Sequence, residues 1–156
     1  MKKTKKMKKK TPKQHSITEI KILGHELLSS ASHINNLPLL LTFISPSSPP
    51  HHILESILSL HSFFLPLLPQ LPSATATSTA SDSDQSEFIY LTWLRSKFDE
   101  FLKLLIDVLI ADECDETIKE VVLDTLMEFV KVANGGAFHS SLYNRILRSI
   151  VSSYFF

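Results

Sequence analysis

A single cysteine, Cys114, and three glycines are all that the 156 residues hold of those two types. One cysteine excludes an intramolecular disulfide and fits a reducing compartment such as the cytosol or nucleus. So few glycines argue against a turn-rich all-β fold. No acidic residue precedes Glu19, and the basic start carries no arginine. A mitochondrial transit peptide is arginine-rich and amphipathic, so that reading fails. A secretory signal fails too, because the lysines run on into polar residues instead of an apolar core. No stretch of about eighteen uninterrupted apolar residues exists, which weakens a transmembrane reading. Residues 53–71 come closest, with Glu55 as the only charge, but His61, Pro66, Pro69 and Gln70 interrupt them.

Charge is abundant and unevenly placed. Lys2, Lys3, Lys5, Lys6, Lys8, Lys9, Lys10 and Lys13 supply eight of the sixteen positive charges. The remainder of the chain therefore sets eight positive charges against sixteen negative ones. The formal neutrality hides an acidic body with a basic tail, an asymmetry typical of an interaction tail or a transport address. The tail suits a nuclear or nucleolar address, or contact with RNA phosphates through counterion release. It has no aromatic residue to stack on bases, so such contact would ignore sequence.

Leucine, isoleucine and phenylalanine outweigh valine and tyrosine, and their spacing is helical. Residues 1–14 form a disordered tail, since like charges repel and nothing there can be buried. Helices are expected over 15–71. Ser16-Ile17-Thr18-Glu19 fits a capping box opening the first, with Ile17, Ile20, Leu23, Leu27 and Leu28 as its stripe. Asn35 or Asn36 should cap a short second helix with Pro38 in its first turn. Pro50 should open a third, with Ile53, Ile57, Leu60, Phe64 and Leu68 in line, and Pro66 should kink or end it. Residues 72–87, rich in Ser, Thr, Ala and Asp, read as a flexible insert.

The segment 88–156 carries the clearest pattern. A long helix is expected from about 87 to 112, with Trp93, Phe98, Phe101, Leu102, Leu105, Val108 and Leu109 on its apolar face. A second starts at Asp115 or Glu116 and stops at Asn134-Gly135-Gly136. Its stripe is Ile118, Val121, Val122, Leu126, Phe129 and Val130. Ser140 or Ser141 should cap the last, whose stripe is Leu142, Tyr143, Ile146, Leu147 and Ile150. The expected fold is all-α: about six helices in stacked antiparallel hairpins, a HEAT-like α-solenoid.

Reactive constellations do not assemble from the sequence. The seven histidines at 15, 25, 33, 51, 52, 61 and 139 include no pair spaced to share a helix face, so no metal or cofactor site is expected. Cys114, with His139 as a conceivable base, lies among Asp112, Glu113, Asp115 and Glu116, whose charges suppress a thiolate. The paired carboxylates Asp99-Glu100, Asp112-Glu113 and Asp115-Glu116 fall on expected helix starts and solvated faces, and no catalytic role is assigned to them.

The stretch "YLTWLRSKFDEFLKLLIDVL…ETIKEVVLDTLMEFVKV" resembles the N-terminal helical region of the nucleolar complex protein 4 family. The likeness rests on Tyr90, Trp93, Leu94 and Arg95 ahead of Phe98, then on the helix from Lys119-Glu120 to Val130 with Val122, Leu126 and Phe129. "ILGHELLSSASHINNLPLLLTFI" is similar to the opening helices of plant members. The resemblance implies a non-enzymatic helical scaffold of the small-subunit processome. Such a protein assists pre-ribosomal RNA processing and is held by another nucleolar protein, with no small-molecule substrate. Family members are longer, with a signature domain C-terminal to this region, so the chain is expected to be a fragment or truncated product. The rival reading is a membrane-associated helical protein anchored by residues 37–71 and the basic tail.

Overall fold

The computed structural model describes residues 14–72 and 82–155. The lysines of the tail lie outside them, as does most of the expected insert. Six α-helices follow one another: α1 (Ile17–Ser29), α2 (Asn36–Thr42), α3 (Pro50–Phe64), α4 (Asp82–Ile110), α5 (Glu116–Val132) and α6 (Ser140–Phe155). Short 3₁₀ turns occupy Ala31–His33 and Leu65–Gln70. Among the described residues there is no strand, only an isolated bridge between Asn134 and Ala137.

Local chemistry sets most of the boundaries. Ser16 accepts from the Glu19 backbone N–H while its own N–H donates to the Glu19 carboxylate, both at 3.2 Å. Each half of that capping box satisfies an orphan donor of the first turn. Pro50 stands at the first position of α3, where its missing N–H costs nothing. Pro66 can neither donate to the carbonyl one turn back nor avoid it, and α3 gives way to a 3₁₀ turn after Phe64. Asp115 caps α5 by accepting from the Thr117 N–H at 2.7 Å. Gly135 and Gly136, at φ of +60° and +89°, reverse the chain after α5 in a conformation that side chains disfavour.

Four expectations need correction. The long helix begins at Asp82, not near 87, so it takes up the end of the expected insert. Adding turns to a helix already nucleated by packed residues costs little. The Asn35 side chain makes no capping bond to α2. Asn36 instead donates to the Leu23 carbonyl at 3.2 Å and to the Glu26 carboxylate at 2.9 Å, tying α2 back to α1. The last helix is capped by a residue other than Ser140 or Ser141: Nδ1 of His139 accepts from the Leu142 N–H at 3.0 Å. Finally, Leu28 and Leu147, placed on the apolar stripes of α1 and α6, are 50% and 43% exposed.

The helices meet by a regular rule. α1 packs on α2 and α3, α2 on α3 and α4, α3 on α5, α4 on α5 and α6, and α5 on α6. Odd helices thus form one row and even helices the other, with the chain zigzagging between them. This is the two-layer architecture of a helical solenoid, in which each unit buries its face only against near neighbours. The core runs the length of the array without a break. At its centre Phe64, Phe98, Phe101 and Phe129 are fully buried.

The stretch Pro50–Gln70 is long and apolar enough to cross a membrane by length and composition. In the fold it breaks at Pro66, and Ile53, Ile57, Leu60, Phe64 and Leu68 are all buried in the core. That stripe is occupied by protein, while Leu58 on the other side of α3 stays exposed.

One polar group sits uneasily in that core. Ser56 on α3 is fully buried, and its hydroxyl has no hydrogen-bond partner among the described residues. Leaving such a donor unpaired is unfavourable by about 1–3 kcal/mol. Ser56→Ala should therefore raise stability by about 1 kcal/mol, visible as a higher thermal midpoint. A lower midpoint would mean that the hydroxyl has a partner after all.

Candidate functional site

Of the residues singled out in the sequence, the ones placed in the structure divide into a buried spine and an exposed edge. Leu94, Phe98, Val122, Leu126 and Phe129 are at most 1% exposed and belong to the one continuous core, where the Phe98 and Phe129 rings meet between α4 and α5. Their role is packing. Arg95 reaches out from α4, its Nε donating to Asp99 Oδ1 at 3.1 Å and a terminal nitrogen donating to the Pro72 carbonyl at 3.3 Å. It pins the end of the N-terminal half to the long helix.

Tyr90 and Trp93 stand at the edge. The sequence puts Trp93 on the apolar face of α4, yet it is only half-buried, and Tyr90 is 41% exposed. Their rings lie nearly parallel, 6.4 Å apart, and the Lys97 ammonium sits 5.9 Å from the Trp93 ring centre. Tyr90 also borders a groove of about 530 Å³ between the end of α1, the Pro66 turn and the start of α4. Leu28, Ile34, Phe63, Leu67 and Leu91 line it, with Glu87 at the rim. This is an apolar surface with a polar margin, suited to holding another chain.

A second apolar surface lies on α6. Leu142 and Ile146 anchor that helix to the array. Leu147, Val151, Tyr154 and Phe155 turn away from it, the last two 70% and 77% exposed. Leu123 of α5 and Ile150 of α6 border the same end of the fold. By the packing rule of the array, a helix after α6 would rest on α5 and α6 together. The sequence missed His139 as the residue that launches α6, because imidazole is not among the side chains that signal a cap.

The titratable groups do not converge. His61 Nε2 lies 2.6 Å from Glu128 Oε2, linking α3 to α5 at the surface, and its ring packs against Phe129. His33 faces Glu26 at 3.8 Å. His15 and His52 flank Phe43 edge-on. Among the described residues no three His, Cys, Asp or Glu side chains gather as a metal site. Cys114 is buried, its Sγ 3.8 Å from the Pro46 carbonyl. Burial pushes its thiol up, the charge of Glu113 adds to this, and Lys119 opposes it. His139 is committed to its cap.

Comparison with known proteins agrees with this architecture. Residues 8–154 match the family model described as "Nucleolar complex protein 4-like, TPR repeats". TPR units, like HEAT units, are helical hairpins that stack into solenoids, so the family description names the repeat type while keeping the expected fold class. The Arabidopsis thaliana "Protein NUCLEOLAR COMPLEX ASSOCIATED 4" is 53% identical over 146 residues. The match covers 94% of this chain and 25% of that relative, so the chain spans about a quarter of its length. No solved structure matches. On the family match, which runs nearly from end to end, and on that identity, the chain belongs to the nucleolar complex protein 4-like family.

Proposed function

We propose that this chain is a non-enzymatic scaffold module of a small-subunit ribosome biogenesis factor active in rRNA processing. Its family and its Arabidopsis relative are both named for the nucleolus, and it is a nuclear, nucleolar protein. The observation that carries the scaffold reading is the α6 end of the array. There a row of large apolar side chains faces outward from an otherwise acidic body. Exposed apolar surface of that kind is how repeat proteins meet their next unit or their partner. The partner is another nucleolar processome protein. The eight tail lysines, Lys2 to Lys13, act as a nucleolar address and as a sequence-blind contact with pre-ribosomal RNA.

Two measurements test this. A tagged chain should concentrate in nucleoli, and deleting residues 1–13 should disperse it. Diffuse staining of both forms would remove the tail from the mechanism. The purified chain should also self-associate, because no described residue covers Leu147, Val151 and Tyr154. Light scattering should give a mass that climbs with concentration, and Leu147→Glu with Val151→Lys should restore the monomer. A wild-type chain that stays monomeric at high concentration argues against an open docking end.

A further inference from the structure

We propose that Ser45, in the link between α2 and α3, is a phosphorylation site for a proline-directed serine kinase, and that the phosphate unseats this link from the one joining α4 to α5. The link reads Ile44-Ser45-Pro46-Ser47-Ser48-Pro49, with two serines each followed directly by proline. It is not helical, Ser47 and Pro49 are exposed, and Ser45 is half-exposed. A proline holds the residue before it extended and offers no N–H of its own. That is the presentation a proline-directed kinase accepts. The Ser45 hydroxyl is held by local bonds alone, one with the Ser47 hydroxyl at 3.0 Å and one accepted from the Ser47 N–H at 3.4 Å.

What lies across from Ser45 gives the modification a consequence. The carbonyl of Pro46, the next residue, meets Cys114 Sγ at 3.8 Å, and this contact joins the two links. Cys114 is flanked by Asp112, Glu113, Asp115 and Glu116, all exposed. Lys119, whose charge is felt at Cys114, already faces Glu116 at 3.7 Å. Phosphorylation moves the γ-phosphoryl group of a nucleoside triphosphate onto Ser45 Oγ. The new O–P bond replaces the bond to the departing nucleoside diphosphate, and the hydroxyl proton passes to the kinase base. The product brings about −2 of charge to a residue one step from the contact, well inside the ~10 Å screening length. The link it meets carries four exposed carboxylates within two residues of Cys114, so the added negative charge weakens the contact between the two links. Ser48 is different. It precedes the positive end of α3, a helix with no acidic residue in its first turn, where a phosphate is tolerated.

Cys114 is the sole cysteine, so its alkylation reports directly on the contact. The full chain is treated with a proline-directed kinase and ATP, and the site is read by mass spectrometry. Alkylation rates are then followed up to the high-pH plateau, where the thiol is fully ionised and the phosphate's effect on its pKa drops out. The phosphorylated chain should show a plateau rate severalfold faster than the untreated chain. Ser45→Ala should stay slow after kinase treatment, and Ser45→Glu should be fast without it. Phosphate found on Ser48 alone would overturn the site. Phosphate on Ser45 with an unchanged plateau rate would overturn the consequence.

Discussion

Replacing Phe129 by alanine should cost about 3–5 kcal/mol, the usual range for emptying a large aromatic site in a packed core. Phe129 is where three helices meet. Its ring lies 5.1 Å from Phe98 and 5.8 Å from Phe101, both on α4, and 5.5 Å from His61 on α3. Phe64 of α3 closes the group, 5.3 Å from Phe98 and 5.8 Å from Phe101. The rings are mostly edge-on or tilted, the arrangements that add to simple area burial. The ring's neighbours belong to two other helices, α3 and α4, each held by its own packing, so the space left by the ring closes only in part. A domain of this size commonly has only about 5–15 kcal/mol of stability in total. Phe129→Ala should therefore lose a large part of its denaturant midpoint. Phe138→Ala, at an exposed position, should leave the midpoint nearly unchanged. Equal effects at both positions would contradict the central placement of the cluster.

The difference between Phe129 and Phe138 also marks what the sequence could and could not convey. Ile118, Val122, Leu126, Phe129 and Val130 repeat at helical spacing, and that period alone assigns them to one face. Ser16 with Glu19, Pro50, Pro66 and the Gly135-Gly136 pair act within a turn of themselves, so their effects on helix ends were visible in a string of letters. Coverage is a different matter. Leu147 fits the stripe of α6 as well as Ile146 does, yet one is 43% exposed and the other 1%, because no described element lies opposite it. Periodicity says which residues share a face and is silent on what lies opposite. The same holds for Tyr90 and Trp93, which stand on a helix whose first turns reach past the core. Asn36 looked like a cap because it stands beside a helix start, but its amide found the Leu23 carbonyl, thirteen residues away. The lysine tail was legible only as charge, and nothing in the fold adds to that reading.

Gly24 is the least legible residue of all, and it sets the second large effect. A glycine in mid-helix ordinarily weakens the helix by about 1 kcal/mol relative to alanine, so a local reading makes Gly24→Ala stabilising. The packing of α1 on α3 reverses that sign. Gly24 is buried, and a Cβ built there would lie 2.1 Å from the Ser59 hydroxyl oxygen and 2.8 Å from the Ser59 Cβ. The hydroxyl could rotate aside, but Cβ is fixed to the α3 backbone, so the two helices would have to separate. Overpacking of this kind costs about 1–3 kcal/mol and can exceed that when backbone must move. Gly24→Ala should accordingly be destabilising, and Gly24→Val, with a branched Cβ at the closest point, should lose about 3 kcal/mol or more. Because α1 leans chiefly on α3, the loss should spread to hydrogen exchange along both helices and leave α5 and α6 protected longer. Ser59→Gly removes both clashing atoms, so the double variant with Gly24→Ala should recover stability beyond the sum of the single changes by at least ~1 kcal/mol. If Gly24→Ala instead raises the denaturant midpoint as propensity alone dictates, α1 and α3 do not approach as closely as their glycine allows.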